Sequence, residues 1–485
     1  MRSVSGPGTV SQMLVERWLE LPAAEIPPHA RKRAILCIKD TIGISLAAAA
    51  LDIGTACGKL AQAVPGPVSL WGTGTASTAT EAAFANGMLA HAMDFDDLHP
   101  AAIMHSSAVI VPAVVALAER QQLCGTEMLA AAVVGYEVAA WLGCLAPGDF
   151  QRQGFQSTAV LGPFAAAIVA ARILKLTPKQ AVHALGIAGS MASGLMEFLA
   201  DGSDTKQMHA GWAAQSGVRA AELAAVGFTG PATVFEGRFG VYGSFVGKQI
   251  DPHSNEPTSA ETWAVEEMCP KPYPACLCLH AVVQAVLEIR ARLQPGDLDP
   301  VDIVSIMCEV PSFYTGLVFD PPERKMSPQT SYEARFSAHY CMARAWIDGS
   351  LEVESFSPDR LSEPEVASLA AKISYAVKEL PEFPETFPAK VTIKRSSGET
   401  SSAYVAANLG SARNPMTDAQ LDDKFMRCAG VGLGHERATA LAASIDGLME
   451  RDGSHRFFSA LRSAKVCRDT VGVGQAEDAF LAASA

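Results

Sequence analysis

The stretch HAMDFDDLHPAAIMHSS, residues 91–107, sets Asp94, Asp96 and Asp97 among His91, His99 and His105. Carboxylates beside imidazoles are the groups that move protons near neutral pH, because the reference pKa of histidine lies near ~6.5. On one helix, His91, Asp94 and Asp97 would share a face, with Asp96 pointing elsewhere. Pro100 ends such a helix near His99. Three acids would then sit at the negative end of the macrodipole, each costing about 0.3–1 kcal/mol. A local rule broken that often favours a functional reading over a solvated acidic helix end. The D-x-D-D spacing has no further acid three or four places on, so neither magnesium nor any other metal is expected.

Two lysines stand in unusual settings. In TKQMHAGWAAQSG (205–217), Thr205 reads as an N-cap, Lys206 falls in the first helical turn, and His209 follows on the same face. A lysine there is unfavourable for the helix, but with the unpaired N–H groups it makes a cradle for a carboxylate. In CPKPYPACLCLH (269–280), Pro270 and Pro272 pin the backbone around Lys271, as suits an ammonium that must be placed accurately. Cys276 and Cys278 are too close in sequence for a zinc pair and read as packing. GIAGSMASG (186–194) lacks the strand and the spacing of a dinucleotide loop. No Walker, G-x-S-x-G or H-E-x-x-H motif is present, and no cofactor is expected.

The elements that must position these groups differ along the chain. Alanine-rich helical stretches run over Thr9–Leu21, His29–Leu51, Ala79–Asp97, Val109–Gln122, Glu127–Leu145, Thr158–Leu174, Pro178–Leu199 and Lys206–Ala225. After a polar linker at 251–261, VDIVSIMCEV (301–310) alternates like a strand, and 389–406 reads as a hairpin turning near Ser397 and Gly398. Helical stretches lie near Cys278–Leu293, Tyr332–Ala345 and Glu363–Glu379, and helix returns from about Thr417. The expected architecture is mostly α with an inserted α+β domain. Residues 1–255 and 409–485 form one helical domain from both chain ends, and 256–408 form a smaller α+β lid, with a small-molecule site between them.

Composition narrows the partners. The 485 residues carry a net charge of −13, which argues against nucleic acid and anionic membrane. No apolar signal-peptide core is seen at the start, and the run 42–54 is too short to span a bilayer. The odd count of eleven cysteines does not resemble a disulfide framework, so a cytoplasmic location is expected.

Together HAMDFDDLHPAAIMHSS, TKQMHAGWAAQSG, KPYPACLCLH and EARFSAHYCMARAW (333–346) resemble, in order and spacing, the MmgE/PrpD family. The resemblance covers nearly the whole chain and implies the same two-part fold, a homodimer, no cofactor and a small di- or tricarboxylic acid as substrate. It assigns proton transfer to His105, matches Asp94 to the first acid of the D-x-D-D motif, and makes Lys206 and Lys271 the active-site lysines. Tyr314 is the nearest candidate for a tyrosine at the start of the lid. His91, His209 and Gln156 join as substrate-binding candidates. Gln156, in GFQST (154–158), stands where many members have a histidine, and Leu98 where a hydroxyl residue is common. The resemblance ranks a 2-methylcitrate dehydratase-like hydro-lyase first. A cis-aconitate-type decarboxylase and an α-carboxylate epimerase are the alternatives. Gln156 and Leu98 leave open an inactive carboxylate-binding or scaffold paralogue.

Overall fold

The structure, a computed structural model, describes residues 8–250 and 262–467. The linker at 251–261, and with it the expected boundary at 255, lies outside the described residues.

Most of the chain is helical. A large core is built by helices Val10–Trp18, Pro28–Ala50, Ala79–His91, Ser106–Gln121, Gly125–Cys144, Ser157–Ile173, Pro178–Gly189 and Thr205–Ala225. It is completed from the other end of the chain by Asp418–Leu433, His435–Asp446 and Gly453–Ser463, which contribute Phe425, Leu441 and Phe457. Gly125–Cys144 is long and apolar enough to cross a membrane, yet 89% of its apolar window is buried inside the protein. It is a buried helix of this core.

Small residues let the site-bearing helices touch. A Cβ at Gly87 would lie 2.7 Å from Gly211 Cα, and one at Gly211 would lie 2.3 Å from the Phe84 carbonyl. On another side of the Thr205 helix, a Cβ at Gly217 would lie 2.4 Å from Ala166 Cβ. The Thr205 helix is therefore held at backbone contact between Ala79–His91 and Ser157–Ile173. That packing brings His91, Gln156, Lys206 and His209 to one place.

The second core belongs to an α+β unit of residues between Ala275 and Val405. Its sheet runs Ile373–Val377, Ile303–Val310, Ala389–Arg395, Thr400–Val405 in space. The first pair is parallel and the other two are antiparallel. The 389–406 hairpin turns at Gly398, which takes φ +88°. Helices His280–Ala291 and Ala338–Asp348 supply the apolar residues that cover the sheet.

Several boundaries differ from expectation. The stretch 363–379 is helical only over Pro364–Ala370 and then becomes strand Ile373–Val377. The helix expected over Pro178–Leu199 stops at Gly189, and that over Tyr332–Ala345 is split into Ser331–Ala334 and Ala338–Asp348. A small hairpin, Val68–Leu70 with Thr75–Ser77, carried no sequence signal. The largest consequence comes from Ala79–His91, which ends before any of the three aspartates.

Candidate active site

Beyond His91 the chain leaves the helix, and Asp94 takes the left-handed conformation at φ +51°. The three aspartates therefore do not share a helical face, and each turns to a different set of partners. Asp94 pairs with Lys206, and its Oδ2 lies 3.2 Å from Lys271 Nζ. Asp96 accepts from His91 Nδ1 at 2.7 Å. Asp97 takes the Ser107 hydroxyl at 2.5 Å, and that hydroxyl is in turn bonded to Tyr136.

Lys206 is the second residue of the Thr205 helix, whose N-cap position is Asp204 and not Thr205. Lys271 is fully buried and also donates to the Asp94 carbonyl at 2.7 Å. The two segments are stitched directly: Leu98 and Cys269 exchange backbone hydrogen bonds at 3.1 and 2.8 Å. Leu98 thus supplies backbone pairing and an apolar side chain to the second core.

Burial alone would raise the pKa of Asp94, but the ammonium groups of Lys206 and Lys271 overcome it and hold the carboxyl well below the usual range. For Asp96 burial is likewise outweighed, here by His91 and His105, and the group stays ionised. Asp97 has no cation close enough to offset its desolvation and rises to about 7.

The imidazoles form a chain. With Asp96 ionised, His91 Nδ1 carries the proton and donates to it. His91 Nε2 then accepts from the Gln156 amide at 3.1 Å, and Gln156 Oε1 accepts from His209 Nδ1 at 2.6 Å. The amide orientation follows from this network. His209 Nε2 is left without a proton. His105 Nδ1 lies 3.2 Å from Asp96 Oδ2 but off the line of a hydrogen bond. His105 Nδ1 and Asp96 Oδ1 thus have no hydrogen-bond partner among the described residues. The His91 and His105 rings meet edge to face at 4.6 Å.

Desolvation lowers all three imidazoles. His91 falls to about 4 despite Asp96, and His209 to about 3, with His91 and Lys206 adding to the effect. His105 is lowered by burial and by the charges of Lys271 and Lys206, against the pull of Asp96. All three are therefore neutral near pH 7 in the protein without substrate. His105 thus lies below the reference value expected from the sequence.

Sequence reasoning missed three parts of this arrangement. Asp96 joins the histidines because the helix ends early. Lys424, from helix Asp418–Leu433, is fully buried, pairs with Asp40 at 2.7 Å, and donates to the Phe95 carbonyl at 3.0 Å. The carbonyls of Asp94 and Phe95 are thus each held by a lysine. A wall of Phe198, Tyr332 and Phe336 closes the space beside Lys206 and His209. Tyr314 is not part of the cluster: its ring stacks on Phe387 and its hydroxyl donates to the Pro388 carbonyl at 3.2 Å, inside the second core.

Ligand atoms of His91, Asp96 and His105 lie within 4.8 Å of one another, so this trio has the make-up of a metal site. The adjacent Lys206, which depresses both imidazoles, and Lys271, which depresses His105, also oppose a dication. What the arrangement supplies directly is two ammonium groups for carboxylates, next to a carboxylate that can stabilise an imidazolium. A cavity of about 410 Å³ lined by Arg238, Phe239 and Thr233 contains none of these residues.

Known proteins share this chain's sequence at length. It is 30% identical to human cis-aconitate decarboxylase over 360 residues, covering 71% of this chain and 72% of that protein. It is 28% identical to cis-aconitate decarboxylase of Aspergillus terreus over 441 residues, 84% and 87% of the two chains. With a cis-aconitate decarboxylase-like protein of Aspergillus oryzae it shares 26% over 460 residues, 90% and 94%. The family model of the MmgE/PrpD N-terminal domain matches residues 13–253, and that of the C-terminal domain matches 273–447. The first match holds Asp94, Asp96, His105, Gln156 and Lys206, and the second opens two residues after Lys271, so the chain belongs to the MmgE/PrpD family.

Proposed function

We propose that this enzyme, a lyase of the MmgE/PrpD type, decarboxylates an unsaturated tricarboxylic acid of the cis-aconitate kind without a cofactor. The observation that carries the reading is the Asp96 carboxylate set between His91 and His105, beside the Asp94–Lys206–Lys271 group. Substrate carboxylates compete with Asp94 for the two ammonium groups. The incoming negative charge offsets the burial and the lysine charges that keep His105 neutral, and His105 takes up a proton that Asp96 stabilises. As the C–CO₂ bond breaks, its electron pair stays on carbon, delocalised towards the neighbouring carboxylate that the lysines hold. His105 then protonates that carbon and is reprotonated from solvent. One CO₂ leaves and one proton enters.

The hydro-lyase reading uses the same groups, but the decarboxylases named above favour loss of CO₂. The purified protein is to be offered cis-aconitate, citrate and 2-methylcitrate, with CO₂ release and ultraviolet absorbance followed together. CO₂ from cis-aconitate is the expected result. Absorbance gained from a hydroxy acid without CO₂ would instead make the enzyme a dehydratase. Activity is expected to survive EDTA; loss restored by a divalent ion would assign His91, Asp96 and His105 to metal. A homodimer in the cytoplasm is part of this reading and is checked by light scattering and fractionation.

A further inference from the structure

The phenol of Tyr332 is buried, 6% exposed, and its hydroxyl has no hydrogen-bond partner among the described residues. A buried hydroxyl without a partner is costly, so its position calls for an explanation.

Its surroundings supply one. Tyr332 lies in the short helix Ser331–Ala334 of the α+β unit and packs on Phe336 at 5.4 Å between ring centroids. Phe336 in turn lies 5.1 Å from Lys206 Nζ, and Phe198, the third member of the wall, sits edge-on to His209 at 5.9 Å. Met196, Leu199 and Cys276 back this wall with apolar surface. The Tyr332 hydroxyl is thus a neutral donor in an apolar wall that borders both Lys206 and His209. Burial raises its pKa well above the usual phenol value, with Asp94 and Asp96 adding to the effect, so it keeps its proton. Of the other site donors, both lysines bind Asp94, and His91 and His209 donate to Asp96 and Gln156, which leaves His105 for the proton transfer.

We propose that Tyr332 is a further catalytic residue, whose hydroxyl donates a hydrogen bond to a substrate carboxylate that the two lysines do not hold. The inference rests on the polycarboxylate reading and deepens it, since it gives the substrate an acceptor on the face of the α+β unit. It also makes that unit a contributor of a substrate-binding group.

The test is Tyr332→Phe, which removes one oxygen and keeps the ring. Turnover of cis-aconitate and calorimetric binding of cis-aconitate and citrate are measured for both proteins, with thermal unfolding as the control for structure. The expected result is a loss of about ten- to a hundredfold in kcat/KM, with binding weakened in step and Tm unchanged or raised, because no protein partner loses a bond. Binding and turnover within twofold of the unaltered protein would overturn the inference. So would a Tm lower by several degrees, which would show that the hydroxyl serves the fold. If the unaltered protein neither binds nor converts any of the acids, the polycarboxylate reading itself fails and this inference falls with it.

Discussion

Replacing Asp96 by asparagine keeps its shape while removing the charge that an imidazolium needs. Asp96→Asn is expected to lower kcat by about 10²–10⁴-fold, the usual worth of a general acid–base pair. Because Asp96 acts through the imidazoles, Asp96→Asn combined with His105→Ala should be little worse than His105→Ala alone. Independent, multiplying losses in steady-state kinetics would separate the two. The lysines carry a structural burden as well. Lys271 is buried against a buried Asp94, and removing one partner of such a pair costs about 3–5 kcal/mol. Lys271→Ala is therefore expected to unfold at markedly lower temperature as well as to lose activity, and an unchanged Tm would contradict the pairing. Lys206 and Lys271 were legible in the sequence because each breaks a local rule, one at a helix start and one between prolines. Asp96 was not. Its role depends on the helix ending at His91, and nothing local marks that ending, since Pro100 lies nine residues further on.

Elements far apart in sequence hold the aspartate loop in place. The Asp418–Leu433 helix reaches it through Lys424, which also lies 4.0 Å from the Phe95 ring centroid. Lys424→Met leaves Asp40 buried and unpaired, so stability should fall by about 3–5 kcal/mol. Asp40→Asn/Lys424→Met should recover much of that stability by denaturant titration. Its kcat should stay low, because the Phe95 carbonyl is still released. Recovery of both together would mean that the lysine serves only the fold. Nothing in LDDKF distinguishes Lys424 from a solvated lysine on an acid-rich helix, since its partners are 384 and 329 residues away. The helices themselves were legible from alanine-rich periodicity. Strand Ile373–Val377 was hidden because it is only five residues long and does not alternate, too little to outweigh the helical run before it.

Across the whole molecule, buried imidazoles set the response to acid. His91 at about 4, and His209 and His280 at about 3, lie below the unfolded value near ~6.5. Their contribution is present above that value and is lost as pH falls towards 4 and 3. Asp97 and Glu137, both raised to about 7 by burial, act in the opposite sense, and their contribution is lost as pH rises through 7. His105 and His339 are lowered as well, and Asp40 and Glu352 raised, so five imidazoles stand against four carboxyls among the described residues. Stability should therefore drop between pH 6.5 and 4, on the order of 1–2 kcal/mol per unit. A melting temperature that rises on going from pH 7 to 5 would show the carboxyls in control.

The burial of every charged group in the site also bears on how fast the enzyme can work. Lys271, Asp96 and His91 are fully enclosed, and Lys206 is only 5% exposed, so the acid enters only when the residues around the site move apart. Such motions take microseconds to milliseconds and push solvent aside. Turnover governed by that motion slows in proportion to added sucrose or glycerol, while the carbon isotope effect on the released CO₂ is suppressed. Turnover indifferent to viscosity, with a full isotope effect, would place the slow step at bond cleavage.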